Sequence, residues 1–375
     1  MTPSVLMLGG PVSTEHPSMN RYAQELFLAL GRASDGSHSI TLEQPVERRY
    51  LSRLCDHPQV RRIDSAWSRY VAYPRSIQGR TTAAFHILDH GYAQLIRSLD
   101  PERTVITCHD VIPLLASQGV IPVDVPPTVA RTFRLRMTQL AKARAVIAVS
   151  GATRGTLERY TAVDADRIVV IPYGVNPTFR CLAHARGPRR ASAGMDDTSK
   201  VVLQVATKGR YKNTPVLLQA FAQLRARVPD VTLVRIGTPF YPDEAVLAER
   251  LGIGASIKQL GTIGDDQTLA EWYNAADVLV FPSIWEGFGW PPLESMACGT
   301  PVVASNIPAI GEVVGDAGIL VSPDDPSAVA VAAERVLTDT ALRVSLRTTG
   351  LERAARFTWL NAATRTLAVY DSLLQ

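Results

Sequence analysis

What the sequence lacks narrows the field first. Its four cysteines, Cys55, Cys108, Cys181 and Cys298, are scattered with no CxxC pair among them. Neither a zinc knuckle nor a disulfide framework is therefore expected, and the thiols read as reduced. No apolar run approaches the roughly 20 residues needed to span a bilayer. The opening MTPSVLMLGGPVSTEH has no basic region and no small-residue cleavage site. No signal peptide is therefore expected, and a cytoplasmic protein is. After the first apolar run, LGGPVSTE at Leu8–Glu15 is not G-x-G-x-x-G, which argues against a nicotinamide-dependent dehydrogenase. His86 and His90 are four apart without the glutamate of a metalloprotease helix, so they read as packing or acceptor contacts. No zinc or calcium ligand spacing occurs elsewhere, and no repeat or low-complexity tract interrupts the chain.

What is present suits a two-domain globular protein. Of 375 residues, 46% are hydrophobic and 20% charged, enough to build sizeable cores and against wholesale disorder. The net charge of +4 hides an asymmetry: residues 1–198 carry 24 Lys and Arg against 17 Asp and Glu, whereas residues 199–375 carry 15 against 18. The basic half contains Arg131, Arg134, Arg136, Lys142 and Arg144 on a stretch of helical character. Such a half could attract an anionic membrane surface or a phosphorylated acceptor, or simply present a solvated helix face. Nucleic acid is not an expected partner, because no aromatic-studded basic motif accompanies the charge.

The first half alternates β-rich runs with amphipathic stretches. Val5–Leu8, Ala84–Leu88, Thr104–Thr107, Ala145–Val149 and Arg167–Ile171 read as buried strands; Asn20–Leu30, Thr128–Lys142 and Gly151–Tyr160 read as helices. Residues 181–198, CLAHARGPRRASAGMDDT, have no apolar periodicity and read as a linker. A second series follows, with strands at Val201–Val205, Thr232–Ile236, Val278–Phe281, Pro301–Ala304 and Gly318–Val321. Helices are expected between them at about 214–228, 243–250, 267–275 and 326–337. The pattern is α/β: two doubly wound, Rossmann-like domains of parallel sheets covered on both faces, with a crevice between. The expected division is 1–180, the linker 181–198, 199–356, and a last helix within 357–375.

Chemistry concentrates in Val280–Ser305, VFPSIWEGFGWPPLESMACGTPVVAS. A strand ends at Phe281, and a loop carries Glu286 and Phe288, the latter flanked by Gly287 and Gly289. The glycines let the backbone adopt unusual φ values and approach a ligand closely. Pro291 and Pro292 suit the first turn of a helix that would stop at Gly299. The start of that helix, with its amides and dipole, favours phosphate oxygens. Glu286 and Glu294, eight apart, are odd partners for phosphate but good acceptors of sugar and ribose hydroxyls. Taken alone, the pair would equally fit a dipole-complementing and a solvated glutamate.

EGFGWPPLESMACGTPVV, with PAIGEVVGDAG downstream at Pro308–Gly318, resembles the signature of glycosyltransferase family 4, the retaining group 1 glycosyltransferases of GT-B fold. The likeness in element order runs along nearly the whole chain and is looser in the first half. The resemblance implies two Rossmann-like domains facing a cleft, a last helix within 357–375 that crosses back to the first domain, and a nucleotide diphosphate sugar as donor substrate. It also implies a glycan or lipid-linked acceptor, no metal and no other cofactor. It implies that Glu286 accepts hydroxyl hydrogen bonds from the donor hexose, with Phe288 and Gly289 offering amides beside it. Glu294 would hold the ribose, and the Leu293 amide would lie near the phosphates. Lys212, in RYKNTPVLLQAF, matches the lysine that neutralises the leaving diphosphate. The family's arginine ahead of that lysine is missing: Ala206 and Thr207 stand there, with Lys208 and Arg210 as replacements. In the first half, His109 of TCHDVIP stands beyond a strand end, where the resemblance implies contact with the reacting sugar; Asp110 is a weaker candidate. Gly9 and Gly10 match the glycine-bearing loop that approaches the donor diphosphate, and Asn20, Arg21 and Tyr22 open the next helix as acceptor contacts. Asp164–Ala165–Asp166 spells the DxD that binds metal in other glycosyltransferases, but it joins a helix to a strand and reads as a turn.

The resemblance implies hexosyl transfer, of mannose or glucose, for polysaccharide or glycolipid assembly. The competing readings are another GT-B enzyme, such as an epimerase or phosphorylase, and a non-catalytic GT-B subunit that binds a glycan or partner. The glutamate spacing argues against the first, and intact Glu286, Glu294 and Lys212 argue against the second.

Overall fold

The computed structural model describes the chain except Met1, residues 12–16 and 46–49, Leu54, Asp56 and Gln375. The chain forms two compact units: Met1–Val120 with Asp124–Gly174 and Thr358–Gln375, and Ile121–Val123 with Val175–Phe357.

The first unit is built on a six-stranded parallel sheet of order β2-β1-β3-β4-β5-β6. Its strands are β1 (Ser4–Leu8), β2 (Ser39–Glu43), β3 (Ala84–Ile87), β4 (Thr104–Cys108), β5 (Ala145–Ala148) and β6 (Ile168–Val170). The central strands β3, β4 and β5 are buried at every position, as expected of a parallel sheet covered on both faces. The helices Pro17–Ser34 and Trp359–Leu373 pack together in this unit. Tyr22, Leu26 and Leu30 of the first bury one stripe, and Ala363, Leu367 and Tyr370 of the second another.

The second unit holds a parallel sheet of order β12-β11-β10-β7-β8-β9. Its strands are β7 (Lys200–Ala206), β8 (Val231–Gly237), β9 (Ile257–Gln259), β10 (Val278–Phe281), β11 (Val302–Ser305) and β12 (Ile319–Val321). Helices Thr214–Arg227 and Pro326–Thr338 cover it with a core of Leu217, Phe221, Val280, Val303, Val329 and Val336. Each such side chain, fully buried, contributes about 1.5–3 kcal/mol. Asp265, Asp325, Asp339 and Thr358 accept a backbone amide at the start of their helices, which fixes where those helices begin.

Two expectations are corrected. The linker 181–198 contains the helix Arg186–Ser192 and belongs to the second unit. Its Arg190 is wholly buried and donates to Asp277 Oδ2 (2.8 Å), Ala275 O (2.9 Å), Asp197 O (2.6 Å) and the Ser199 carbonyl. An arginine looks like surface in a sequence, but here its hydrogen bonds anchor the segment. The helix read at Asn20–Leu30 runs from Pro17 to Ser34 and carries Tyr22 into the core.

Candidate functional site

The strand order of the second sheet decides where a ligand can sit. From β7 the chain winds outward to β8 and β9, then returns to build β10, β11 and β12 on the other side. Adjacent loops therefore part at the carboxyl ends of β7 and β10, the crevice where open α/β sheets bind ligands. The two most informative sequence segments leave these two strands. Beyond β7, Arg210–Lys212 makes one 3-10 turn; beyond β10 runs the loop to Gly289. They lock together through Asn213, held left-handed at φ 57°, whose side-chain amide donates to Pro282 O (3.0 Å) and Pro323 O (2.7 Å). Ile284 N also donates to Tyr211 O (2.8 Å).

The lock brings Lys212 and Glu286 together. Lys212 Nζ donates to Glu286 Oε1 at 2.7 Å, with side-chain exposures of 10% and 11%. The ammonium lies 4.9 Å from the Tyr211 ring centroid and 5.3 Å from that of Phe281, which strengthens its hold on the site. Gly289, at φ 117°, opens the helix Trp290–Ala297. A Cβ there would lie 2.6 Å from Ile310 Cδ1, so only glycine fits this entry. Pro291 and Pro292 have no amide hydrogen, and Leu293 N donates to Gly289 O (3.4 Å). Phe288 is buried and packs edge-on against Phe357, with centroids 6.0 Å apart. Glu294 is 3% exposed and accepts from Tyr273 Oη at 2.8 Å. Tyr273 went unnoticed in the sequence because nothing in a helical tyrosine signals a carboxylate 21 residues on.

The two replacement cations differ. Arg210 donates twice to Asp243 (2.7 and 2.9 Å) and stacks 4.0 Å over the Tyr241 ring; its hydrogen bonds hold the Asp243 carboxyl below the usual range. Lys208 is exposed on the loop directly after β7. A further cation was missed: Arg235 of β8 is buried, donates to Thr238 O (3.1 Å) and to Gln204, and lies 4.8 Å over Phe240. Burial pulls its pKa down.

In the first unit the chain reverses its winding between β1 and β3, so the equivalent crevice lies beyond their ends. Gly9 and Gly10 follow β1; the Gly9 carbonyl accepts from Tyr73 Oη (3.0 Å), and a Cβ on Gly10 would meet the Tyr92 ring at 2.8 Å. Beyond β3, Asp89 Oδ1 accepts from Gly91 N (2.6 Å), and the Arg69 guanidinium lies 4.3 Å over Tyr92 while donating to Gly91 O. Burial raises the Asp89 pKa, but His90, His109, the Gly91 amide and Arg69 together outweigh it and leave the group below its ordinary value.

His109 stands just past β4 and is 5% exposed. Its Nε2 lies 2.7 Å from Leu88 O and its Nδ1 meets the Tyr173 hydroxyl. A carbonyl can only accept, which assigns the proton to Nε2 and makes Tyr173 the donor to Nδ1. Burial, only partly opposed by Asp89, lowers the ring's pKa to about 4. His86 is also buried, bonded to Tyr370 Oη (2.6 Å) and Thr107 Oγ1 (2.8 Å), and burial lowers its pKa to about 3. His90 Nδ1 accepts from His109 N (3.2 Å). Of the acceptor candidates, Asn20 and Arg21 are half-buried, whereas Tyr22 is 4% exposed and bonded to Thr107 at 3.0 Å. Asp164 caps a single turn by accepting from Asp166 N (3.1 Å).

The model of glycosyl transferases group 1 matches residues 186–353, and that of glycosyltransferase family 4 matches residues 19–179. The O-antigen chain mannosyltransferase B of Escherichia coli is 32% identical over 285 residues, 72% of this chain and 71% of that protein. The serotype-specific mannosyltransferase WbdA of Escherichia coli is 30% identical over 283 residues, 73% of this chain. The chain spans about a third of the length of WbdA (34%). Among solved structures, a sucrose-phosphate synthase from Thermosynechococcus elongatus has a TM-score of 0.78 at 22% identity and covers 99% of both chains. HepE from Anabaena, in complex with UDP and glucose, has a TM-score of 0.76 at 18% identity over 99% of this chain and 100% of its own. With its 3-2-1-4-5-6-type second sheet, its locked Lys212–Glu286 pair and these relatives, the chain belongs to the group 1 glycosyltransferases of family 4 and has their GT-B fold.

Proposed function

We propose that the chain is a retaining glycosyltransferase that moves a hexose, mannose ahead of glucose, from a nucleotide diphosphate sugar to a glycan or lipid-linked acceptor. The observation that carries this reading is the ion pair of Lys212 and Glu286 at the β7/β10 switch point (2.7 Å). The mannosyltransferase relatives support mannose. The site supplies what departure of a sugar from a diphosphate needs. Negative charge grows on the leaving phosphates, and a preformed cation with helix-start amides stabilises it without reorganisation. Lys212 takes that role, with exposed Lys208 ahead of it as second cation in place of Arg210, which Asp243 already engages. Glu286, relieved of Lys212, accepts from hexose hydroxyls, and Glu294 from the ribose. Attack from the face the diphosphate leaves, with its oxygen taking the acceptor proton, gives retention without a carboxylate nucleophile. The scheme uses neither metal nor cofactor. His109 enters it as a neutral ring that orients the Leu88 carbonyl, and the reaction runs in the cytoplasm.

The test is release of nucleoside diphosphate from GDP-mannose, UDP-glucose and ADP-glucose in the presence of a glycan and glycolipid pool, with proton NMR of the anomeric coupling in the product. One donor turned over with its configuration kept is the expected result. Inversion would exclude same-face attack, and no turnover of any donor would favour a non-catalytic binding subunit.

A further inference from the structure

The apolar sheet face under the helix Thr214–Arg227 turns polar as it nears the carboxyl ends of its strands. Val202 and Leu233, paired across β7 and β8, belong to the core beneath that helix. Two residues on, the same face presents the next such pair, Gln204 and Arg235. Gln204 is 1% exposed and Arg235 4%. Every group that the guanidinium bonds is neutral: the Gln204 side-chain oxygen, Thr238 O (3.1 Å) and Thr214 Oγ1 (3.5 Å), with the Phe240 ring centroid 4.8 Å from Cζ. The carboxylates of this corner are engaged elsewhere. Asp243 accepts twice from Arg210. Glu244, itself buried, accepts from Tyr241 N (2.9 Å) and has Arg210 3.7 Å from its other oxygen. Among the described residues Arg235 has no ion-pair partner.

A buried cation without a counter-ion carries a desolvation cost that neutral acceptors offset only in part. An aliphatic side chain would fill this core-facing position of a parallel strand without that cost. The place of the charge gives it a use. Gln204 and Thr214 bracket the turn that carries Lys208, Arg210 and Lys212: one lies on β7 just ahead of it, the other is the first residue of the helix after it. The guanidinium therefore lies against both ends of the cation-bearing turn, at a helix start whose dipole adds to the positive field. Of the three cations on the turn, Arg210 is held by Asp243 and Lys212 by Glu286. Arg235 alone pairs with neutral groups, and in low dielectric an unpaired charge is felt further than one in water.

We infer that Arg235 is the buried counter-charge for the donor's diphosphate, supplying from within the sheet the second fixed positive field that an arginine at 206 or 207 would have supplied from the turn. The inference rests on the glycosyl-transfer reading and deepens it. Arg235 does not replace the contacts of Lys208 and Lys212; it raises the potential in which they act.

The deciding variant is Gln204→Glu. It keeps the shape of the side chain and its acceptor oxygen, and gives Arg235 an ion-pair partner in place. If the guanidinium only tied strand, helix and loop together, this change would hold it more firmly and leave ligand affinity as it was. If it acts by its field, the change neutralises it. Isothermal titration of the full chain compares GDP and UDP with guanosine and uridine. For the family that binds, Gln204→Glu should weaken the diphosphate about ten-fold, the effect of one charge about 10 Å away at an effective dielectric of about 20. Nucleoside affinity should be unchanged and the melting temperature equal or higher. Arg235→Met should lose the same diphosphate affinity, whereas Arg235→Lys, which keeps the charge but not the planar fork, should stay within about three-fold of wild type. Both losses should persist at high salt, because a buried charge is screened little. Unchanged diphosphate affinity in Gln204→Glu, a loss shared equally by the nucleoside, or Arg235→Lys as weak as Arg235→Met overturns the inference and leaves the donor site standing. Wild type that binds neither diphosphate overturns the glycosyl-transfer reading, and the inference with it.

Discussion

The Lys212–Glu286 pair is the part of the account most open to quantitative test. At 2.7 Å, opposite charges attract by about 6 kcal/mol at an effective dielectric of about 20. Desolvation offsets much of this, but removing one partner strands the other, which costs about 3–5 kcal/mol at a fully buried pair. With each side chain about a tenth exposed (10% and 11%), Lys212→Met or Glu286→Gln should destabilise by about 3 kcal/mol, the lower end of that range. The double variant leaves no stranded charge, so its loss should fall short of the sum by about 1–3 kcal/mol. Turnover should respond otherwise. Each single change, and Glu286→Ala likewise, should lower kcat by about 10²–10³-fold, as for loss of one transition-state contact, and the double variant should be little worse than the poorer single. Urea unfolding and nucleoside diphosphate release measure the two quantities on the same preparations. Additive stability losses with near-wild-type turnover would refute both the coupling and the catalytic assignment.

Three further outcomes follow from the buried polar groups and the strained turn. Burial depresses the pKa of His86 to about 3 and of His109 to about 4 from 6.5. The unfolded chain therefore binds the extra protons first, and stability present above about pH 6.5 is lost as pH falls toward 4, at about 1.4 kcal/mol per pH unit for each histidine; His86→Gln should flatten that slope by about one histidine's share in urea titrations. Arg190→Ala should cost about 3–5 kcal/mol by leaving Asp277 short of its buried partner, read as earlier unfolding and faster proteolysis within residues 181–198. Gly289→Ala forces a Cβ to 2.6 Å from Ile310 Cδ1 at φ 117°, and should cost about 1–3 kcal/mol together with a marked loss of turnover.

The sequence disclosed most where local rules and tertiary environment agree. The central strands are continuous apolar runs because both faces of the sheet are covered, and each was readable to within a residue or two. The strands not anticipated are β2 and β9, each at an edge of its sheet; SITLE is polar at alternate positions, IKQ is polar at two of its three, and neither is buried throughout, so no buried run announces them. Helix Thr340–Ala354 escaped notice because it buries only Leu346, Gly350 and Ala354. The segment around Glu286 was legible because its chemistry is local: glycine, proline and glutamate spacing over one loop and one helix. What joins across the sheet was not. No spacing rule links Lys212 to Glu286, Tyr273 to Glu294, or Arg210 to Asp243, since strand order alone makes them neighbours. Tyr22 shows the reverse difficulty: its i, i+4, i+8 pattern with Leu26 and Leu30 is a core stripe, and its position at a helix start suggested a ligand contact that its 4% exposure does not favour.

The central claim is that the β7/β10 crevice holds a sugar nucleotide through Glu286, Glu294 and Lys212. The most direct measurement is a thermal-shift panel of UDP, GDP, ADP and their hexose conjugates on wild type and Glu294→Ala. Ligand at about 100 times its dissociation constant should stabilise the fold by about 2.7 kcal/mol. The account predicts that one nucleotide family raises the melting temperature, GDP by the mannosyltransferase likeness, and that Glu294→Ala weakens its affinity about 10–150-fold, the equivalent of one charge-assisted hydrogen bond. A shift left intact in Glu294→Ala, or no shift with any nucleotide at saturating concentration, would contradict it.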